Sequence, residues 1–363
     1  MKFWPWLVLA GLLSGCGPGQ PVRIGFIAGL SNRSPDVEED GRNGLMLAVE
    51  QRNQDGGLGG HPIELVVRDS GQTAQQAQSA MQALVQAKVV AAVGSFTSAT
   101  ATLVVPLADA AQLVLVSPTV TSMDFVGKDD YFFRMNRNAH ENASAYAAKL
   151  LQRGQRRVAV LYDVRNKSLS SSWVQEFRSA YTAAGGQLAA EVPFGSEGQG
   201  VGDSVRQMLA GRPDGLLFIA ATLDVAQLAQ QAEKLAPGLP KTASEWASGD
   251  YLVELGGRAV EGMVTAQVFD RADTSERYRR FRDAYQTRFA RLPSFSSVAA
   301  FDAGTVLLQA LDRRSWYESV KDALLKYGPY EGLQQSIQFD RFGDATRKMT
   351  FTQIQAGQFV PLP

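Results

Sequence analysis

Cysteine is almost absent from this chain, which has a single cysteine, Cys16, among 363 residues. Without a second thiol no internal disulfide can form, so we expect the hydrophobic core to supply the stability. Histidine is nearly as rare, and the only two, His61 and His140, stand far apart in the sequence. That spacing disfavours a histidine-based zinc site. The sequence therefore predicts no bound metal.

An excess of charge is also lacking, because 36 lysines and arginines balance 36 aspartates and glutamates. No basic stripe indicates a nucleic-acid partner, and no acidic run indicates a solvating tail. The motifs G-x-S-x-G, H-E-x-x-H and C-x-x-C are missing as well. The glycine-rich stretch 56–60 leads into a strand and lacks the lysine and helix of a phosphate loop. We therefore expect no enzyme activity and no cofactor.

The first sixteen residues have the pattern of a targeting signal. Lys2 precedes the apolar run 3–13, which is too short to span a bilayer and closes with Leu13-Ser14-Gly15-Cys16. This site resembles the lipobox of bacterial lipoproteins. We predict a signal peptide at 1–15 and a tether at 16–21. Lipidated Cys16 would hold the protein on the extracytoplasmic face of a bacterial membrane by two or three acyl chains. An ordinary signal with a chance cysteine is the alternative.

Strand-like and helix-like runs alternate along the rest of the chain, where no apolar run reaches 18 residues. The predicted strands are 22–28, 62–67, 89–93, 113–116, 157–162, 215–220 and 262–268, and the last 36 residues read as further short strands with turns, for example 336–339 and 349–351. The predicted helices are 40–54, 73–87, 99–111, 141–153, 171–184, 224–236, 275–289 and 301–311. Alternation of this kind is typical of right-handed βαβ units around a parallel sheet. The pattern restarts after Asn138, so we predict an α/β protein with two doubly wound lobes.

Hydroxyl-bearing residues follow two of the predicted strands. Ser98 lies in the loop 95–100, and Thr119 and Thr121 lie in the loop 117–122. Because parallel strands present their carboxyl ends at one edge of a sheet, the two loops should lie side by side. Free backbone N–H groups and hydroxyls there suit an anion, above all a carboxylate. Ordinary helix capping is the alternative for each loop.

An acidic residue, Glu245, follows the strand-like residues 241–243. It could neutralise an ammonium group on the opposite side of a cleft, although a solvated loop acid is the alternative. Asp163 also follows a strand, where it could cap the next helix.

Taken in order, several short segments resemble the branched-chain amino acid binding family of ABC transporter proteins, which have the type I periplasmic binding protein fold. The segments that carry the resemblance are 24–30, 43–49, 53–60, 93–98, 116–121, 133–134, 158–163, 261–262, 301–303 and 339–344. Each segment is common by itself, whereas their order and spacing are specific.

The resemblance implies two lobes joined by three hinge crossings, with a small molecule bound in the cleft between them. We place lobe 1 at 22–137 and 266–327, and lobe 2 at 138–265 and 328–363. Crossings are expected near 137–138, 264–266 and 327–328.

Residue by residue, Ser98, Thr119 and Thr121 match the family's contacts to a ligand carboxylate, and Glu245 falls near its acidic residue for an ammonium group. Lys167 stands about where the family has a tyrosine, and it could reach a second acidic group. The ligand is therefore expected to be an amino acid or a related carboxylate, delivered to an ABC permease. A sensor or envelope interaction module on the same fold is the alternative.

Overall fold

Two α/β lobes make up the part of the chain that the computed structural model describes, residues 19–31 and 36–362. The predicted signal peptide and residues 16–18 of the tether, Cys16 among them, lie outside these residues. The first lobe begins with β1 (Val22–Ala28), α1 (Asp36–Gln54), β2 (Ile63–Asp69), α2 (Ala74–Gln86), β3 (Ala91–Gly94), α3 (Ser98–Ala110), β4 (Leu115–Ser117) and β5 (Phe132–Arg134). These strands form one parallel sheet in the order β2-β1-β3-β4-β5.

The second lobe is built on a seven-stranded sheet in the order β14-β13-β10-β9-β8-β6-β7. Its elements up to the second crossing are α4 (Ala139–Gln152), β6 (Arg157–Asp163), α5 (Lys167–Ala183), β7 (Gln187–Phe194), α6 (Val201–Ala210), β8 (Gly215–Ile219), α7 (Thr222–Leu235), β9 (Lys241–Ala243), α8 (Tyr251–Gly256) and β10 (Val264–Gln267). The chain ends in this sheet with the antiparallel strands β13 (Thr350–Gln355) and β14 (Gln358–Pro361).

Between these segments the chain returns to the first lobe. The elements that it adds there are α9 (Glu276–Phe289), α10 (Phe295–Arg313), α11 (Val320–Lys326) and a small hairpin of β11 (Tyr330–Glu331) and β12 (Ser336–Ile337). Helix α10 packs against α1, and a Cβ on Gly44 would lie only 2.1 Å from the carbonyl oxygen of Ser297. Glycine at position 44 therefore permits the close approach of the two helices.

Helix starts follow the capping rules. Asn138 caps α4 by accepting from the N–H of Glu141, whose carboxylate accepts from the N–H of Asn138 in return. This reciprocal arrangement satisfies two backbone donors where the chain enters the second lobe.

Two of the predicted crossings lie too early in the sequence. Strand β10 lies wholly in the second sheet, and Phe269 is buried beside α9 and α10 of lobe 1, so the second crossing follows Gln267. Tyr330 and Phe339 are buried in the core of lobe 1, whereas Phe351 packs in lobe 2. Residues 330–345 therefore belong to lobe 1, because their apolar side chains seal its core, and the third crossing follows them.

Three elements of lobe 2, β7, α6 and α8, are absent from the sequence prediction. Strand β7 lies at the edge of its sheet and contains Glu191 and Pro193, which weaken the apolar pattern.

None of the helices in the described residues is both long and apolar enough to cross a membrane.

Candidate functional site

The cleft between the lobes contains two neighbouring cavities at the carboxyl ends of the central strands. The inner cavity has a volume of about 40 Å³. It is lined by Val37, Phe96, Thr97, Ser98, Thr119, Thr121, Asn136, Asn166, Leu169, Glu245, Trp246 and Phe295. The outer cavity, of about 400 Å³, shares Val37, Phe96, Thr97, Asn166 and Trp246 with it. The structure thus brings Ser98, Thr119, Thr121 and Glu245 to one place.

Ser98 is not the residue that caps α3. That role belongs to Thr97, whose Oγ1 accepts from the N–H of Thr100 at 3.2 Å. Ser98 is the first residue of the helix and is 2% exposed, and its Oγ has no hydrogen-bond partner among the described residues. Its hydroxyl is therefore buried and available.

The second loop is held against the first by hydrogen bonds. Ser117 Oγ donates to the carbonyl of Ser95 at 2.7 Å, and Thr119 Oγ1 donates to the carbonyl of Phe96 at 2.7 Å. Thr121 is buried, and its carbonyl accepts from the N–H of Ala139 at the first crossing, at 2.7 Å. The hydroxyls of Thr119 and Thr121 are thereby fixed beside Ser98, at the wall that lobe 1 contributes.

Glu245 forms the facing wall in lobe 2. It opens a single 3-10 turn, Glu245–Ala247, directly after β9. Its Oε1 accepts from Asn142 Nδ2 at 2.8 Å. Its Oε2 is buried and has no partner of normal hydrogen-bond geometry among the residues described, although the Trp173 side chain lies near enough to favour the charged carboxylate. Burial raises the pKa of Glu245 because it removes water from the charged form.

Asn142 and Arg137 support Glu245, and the sequence analysis did not identify them. Asn142 is fully buried on α4, and its Oδ1 accepts from Arg137 Nε at 3.0 Å. The positive charge of Arg137 opposes the effect of burial and favours ionised Glu245. Their positions just after the first crossing were a signal that could have been used, because crossings border the cleft.

The outer cavity carries a group of three charged side chains. Arg165 donates from Nε and Nη2 to the two carboxylate oxygens of Asp163, at 2.8 and 2.7 Å, and it also pairs with Asp224. These contacts, led by the hydrogen bond to Asp163, raise the pKa of the Arg165 guanidinium. Asp163 Oδ1 also accepts from the N–H of Arg165, so the capping role expected for Asp163 is present too. With two carboxylates and one guanidinium, the group has a net charge of about −1.

Lys167 does not join the other candidate residues. It is the exposed first residue of α5 and lines neither cavity. The preceding residue, Asn166, is buried in the cleft instead, where its Oδ1 accepts from the N–H of Ala99 across the lobes at 2.9 Å.

The free atoms define what the inner cavity can bind. A buried polar atom without a partner costs about 1–3 kcal/mol, so native proteins rarely leave one unsatisfied without a reason. Ser98 Oγ can donate to an anion, and Glu245 Oε2 can accept from a cation. The two lobes therefore present complementary polar groups to a small molecule with charges of both signs. Neither cavity lining includes a histidine or cysteine.

Comparison with known proteins gives the same picture. Residues 21–358 match the family model described as periplasmic binding protein. A leucine-binding protein from Thermotoga maritima superposes with a TM-score of 0.87 at 22% identity, covering 94% of this chain and 98% of that one. A branched-chain amino acid transporter substrate-binding protein from Streptococcus pneumoniae, solved with isoleucine, gives 0.86 at 21%, covering 94% and 99%. A solute-binding protein from R. palustris, solved with benzoate, gives 0.84 at 15%, covering 94% and 95%. At these identities the likeness concerns the fold.

Proposed function

This chain belongs to the periplasmic binding protein family, and we propose that it is an extracytoplasmic lipoprotein that captures a small carboxylate-bearing molecule, an amino acid or a relative, for an ABC permease. The observation that carries the proposal is the pair of buried, unpartnered atoms Ser98 Oγ and Glu245 Oε2, which belong to two residues that line the inner cavity. One atom belongs to each lobe, so a ligand that satisfies both would hold the lobes together.

The carboxylate would lie against lobe 1. Ser98 Oγ–H would donate to it, and the N-terminus of α3 adds a favourable dipole for an anion. Thr119 and Thr121 would complete this side through backbone N–H groups and the Thr121 hydroxyl. The leucine, isoleucine and benzoate found in similar solved structures all carry one carboxylate, which supports an anion-binding loop on this fold.

The ammonium group would lie against Glu245. Its protons would bond to Oε2, and the hydrogen bond from Asn142 would keep the carboxylate oriented. A charged hydrogen bond formed away from water is stronger than a neutral one. An amino acid therefore fits the two walls better than a simple carboxylic acid does.

The remainder of the ligand would occupy the outer cavity. The inner cavity of about 40 Å³ holds little more than one water molecule. Binding pockets for small molecules usually measure about 300–1,000 Å³, a range that includes the outer cavity of about 400 Å³. Phe96 and Trp246 border both spaces and would contact the apolar part of the ligand. Lys167 takes no part in these contacts because it lines neither space.

A ligand screen tests the proposal. Thermal shifts are measured with amino acids, amides and small carboxylates, because a ligand at a hundred times its Kd adds about 2.7 kcal/mol. Calorimetry then compares the best ligand in wild type and Ser98→Ala, where we expect a loss of roughly ten- to a hundredfold in affinity. Lys167→Ala is the control and should bind as wild type. Unchanged affinity in Ser98→Ala would place the site elsewhere, and a broad screen without any ligand would favour the sensor or interaction module.

The lipid anchor needs its own experiment, because Cys16 lies outside the described residues. Cells that express wild type or Cys16→Ser are fractionated, and the protein is followed by immunoblot. We expect wild type in the membrane fraction and the variant in the aqueous extracytoplasmic fraction. Equal membrane retention of both proteins would show that Cys16 is not the anchor.

A further inference from the structure

A tight turn at residues 315–318, between α10 and α11, exposes two aromatic side chains. Trp316 is 92% exposed and Tyr317 is 72% exposed, which makes them the most exposed large apolar side chains of the described residues. Their rings meet edge to face, with centroids 5.7 Å apart. Large aromatic rings are usually withdrawn from water, so a pair in this position indicates a surface that something else covers.

The turn is held in place by Glu318. Its Oε2 accepts from the N–H of Ser315 at 2.9 Å and from the hydroxyl of Tyr327 at 2.8 Å, and its other oxygen pairs with Lys326. The N–H of Glu318 in turn donates to the carbonyl of Ser315 at 3.1 Å. The backbone beneath the rings is therefore fixed, and the turn presents them outward.

The turn lies at the end of lobe 1 from which the N-terminal segment emerges. Helix α10 begins at Phe295 in the cleft, and its 19 residues carry the chain about 28 Å away from it. At the far end Asp312 pairs with Arg52 at 2.5 Å. Asn53, which follows Arg52 in α1, donates from Nδ2 to the carbonyl of Ile63 at 2.9 Å and accepts from its N–H at 2.7 Å. Ile63 pairs with the first residue of β1.

The tether is short at this end. Gly19 is the first described residue, and Cys16 precedes it by three residues. Three residues of fully extended chain span about 10 Å. A membrane that holds Cys16 must therefore lie close to the end of lobe 1 that carries Trp316 and Tyr317.

We propose that the turn 315–318 inserts Trp316 and Tyr317 into the headgroup layer of the membrane to which Cys16 tethers the protein. The proposal rests on the lipid anchor of the proposed function. Tryptophan and tyrosine favour the membrane interface because each has an apolar body and a polar tip. The contact would stand lobe 1 on the bilayer and keep the cleft about one helix length above it.

The charges around the turn predict how the contact responds to salt. Asp312 and Glu318 are already paired with Arg52 and Lys326, so Arg313 and Arg314 add positive charge beside the rings. Anionic headgroups would therefore assist the rings, and raising the salt concentration should weaken the contact in part without abolishing it. Two rings alone bind weakly, and the tether makes the contact effective by raising the local concentration of the turn at the membrane.

The test supplies the tether chemically, so that it does not depend on lipidation in the cell. The chain from residue 16 onward is coupled through Cys16, its sole thiol, to a maleimide lipid in vesicles of phosphatidylethanolamine and phosphatidylglycerol. A fraction of the lipids carries bromine near the headgroup, which quenches tryptophans that reach it. We expect quenched, blue-shifted emission from Trp316, and loss of the quenching in Trp316→Phe.

A matched control uses the opposite end of the same helix. Leu292 is 57% exposed beside the start of α10, so Leu292→Trp in the Trp316→Phe background places a tryptophan near the cleft. That tryptophan should not be quenched. Equal quenching in wild type and Trp316→Phe, or quenching at position 292 equal to that of Trp316, would overturn the proposal.

Two further outcomes would also overturn it. The rings could stay in water on tethered protein and become buried only on self-association, seen by light scattering, or only when a permease is added. Failure of Cys16→Ser to release the protein from cells would instead overturn the lipid anchor and leave the vesicle result to stand by itself.

For uncoupled protein, Trp316→Ala with Tyr317→Ala should lower vesicle binding by more than about tenfold.

Discussion

Replacing Glu245 by glutamine should weaken ligand binding and stabilise the empty protein at the same time. The side chains have nearly the same shape, and Oε1 of glutamine can still accept from Asn142. The substitution removes the negative charge and puts an amide N–H₂ group in the place of Oε2. Loss of a buried charge partner costs about 3–5 kcal/mol, so we expect the affinity for an amino acid to fall by two or more orders of magnitude.

The stability should change in the opposite direction. Burial raises the pKa of Glu245, so the folded protein holds the proton to higher pH than the unfolded chain does. The contribution of Glu245 to the free energy of unfolding is therefore greatest below the unfolded pKa, and it is lost as pH rises through the folded pKa. Glutamine has no proton to lose. At neutral pH the empty variant should be more stable than wild type by about 1–3 kcal/mol.

Urea unfolding and calorimetry measure the two effects. The difference in unfolding free energy between Glu245→Gln and wild type should grow as pH rises, and it should shrink when wild type is saturated with ligand. In wild type the affinity should fall as pH drops through the raised pKa, because the ammonium then meets a neutral acid. Glu197→Gln, an exposed change in the same lobe, is the matched control. A variant that binds as wild type, or that is less stable at neutral pH, would refute the reasoning.

Two further substitutions test the surroundings of the site and the core. Asn142→Leu should lower ligand affinity by roughly tenfold and raise the pKa of Glu245 further. The pH profile of the affinity should then shift to higher pH, and an unshifted profile would remove Asn142 from the site. Arg347→Met leaves Asp302 buried without its ion pair, since both side chains are 2% exposed. The free energy of unfolding in urea should fall by about 3–5 kcal/mol, and a loss below about 1 kcal/mol would contradict this expectation.

Much of the fold could be predicted from the sequence because its central strands are buried on both faces. Strands β1, β3 and β8 read as continuous apolar runs, and the helices between them carry clear apolar spacing. The fold class and the resemblance to a binding-protein family are confirmed. Edge strand β7 was missed because one face of it meets water, which leaves no such run.

Assignment of the C-terminal segments to lobes was beyond the sequence. The runs around Ile337 and Phe351 both read as short strands, yet the first packs in lobe 1 and the second in lobe 2. Only the three-dimensional path decides which core an apolar strand joins. The third crossing was therefore placed too early.

The candidate site, too, could be predicted only in part from the sequence. That Ser98, Thr119 and Thr121 lie together could be predicted, because strand ends of a parallel sheet meet at one edge. Glu245 follows a strand in the other lobe and lines the same cavity. Lys167 was chosen because it stands about where the family has a tyrosine. Its side chain is exposed, whereas that of the preceding residue, Asn166, is buried in the cleft. Asn142 acts through a contact 103 residues distant in sequence, which no local pattern reports.

Contacts between the lobes explain how a ligand can be held without making every contact itself. Asn166 already satisfies the N–H of Ala99, Ser122 Oγ donates to the carbonyl of Ser168 at 2.7 Å, and Arg291 pairs with Tyr251 across the cleft. These bonds lower the free energy of the closed form but leave Ser98 Oγ and Glu245 Oε2 unsatisfied, which raises it. A ligand that meets those two atoms removes the opposing cost and so binds the closed form preferentially. In the proposed function, closure and ligand recognition would be linked through the same two atoms, one on each lobe.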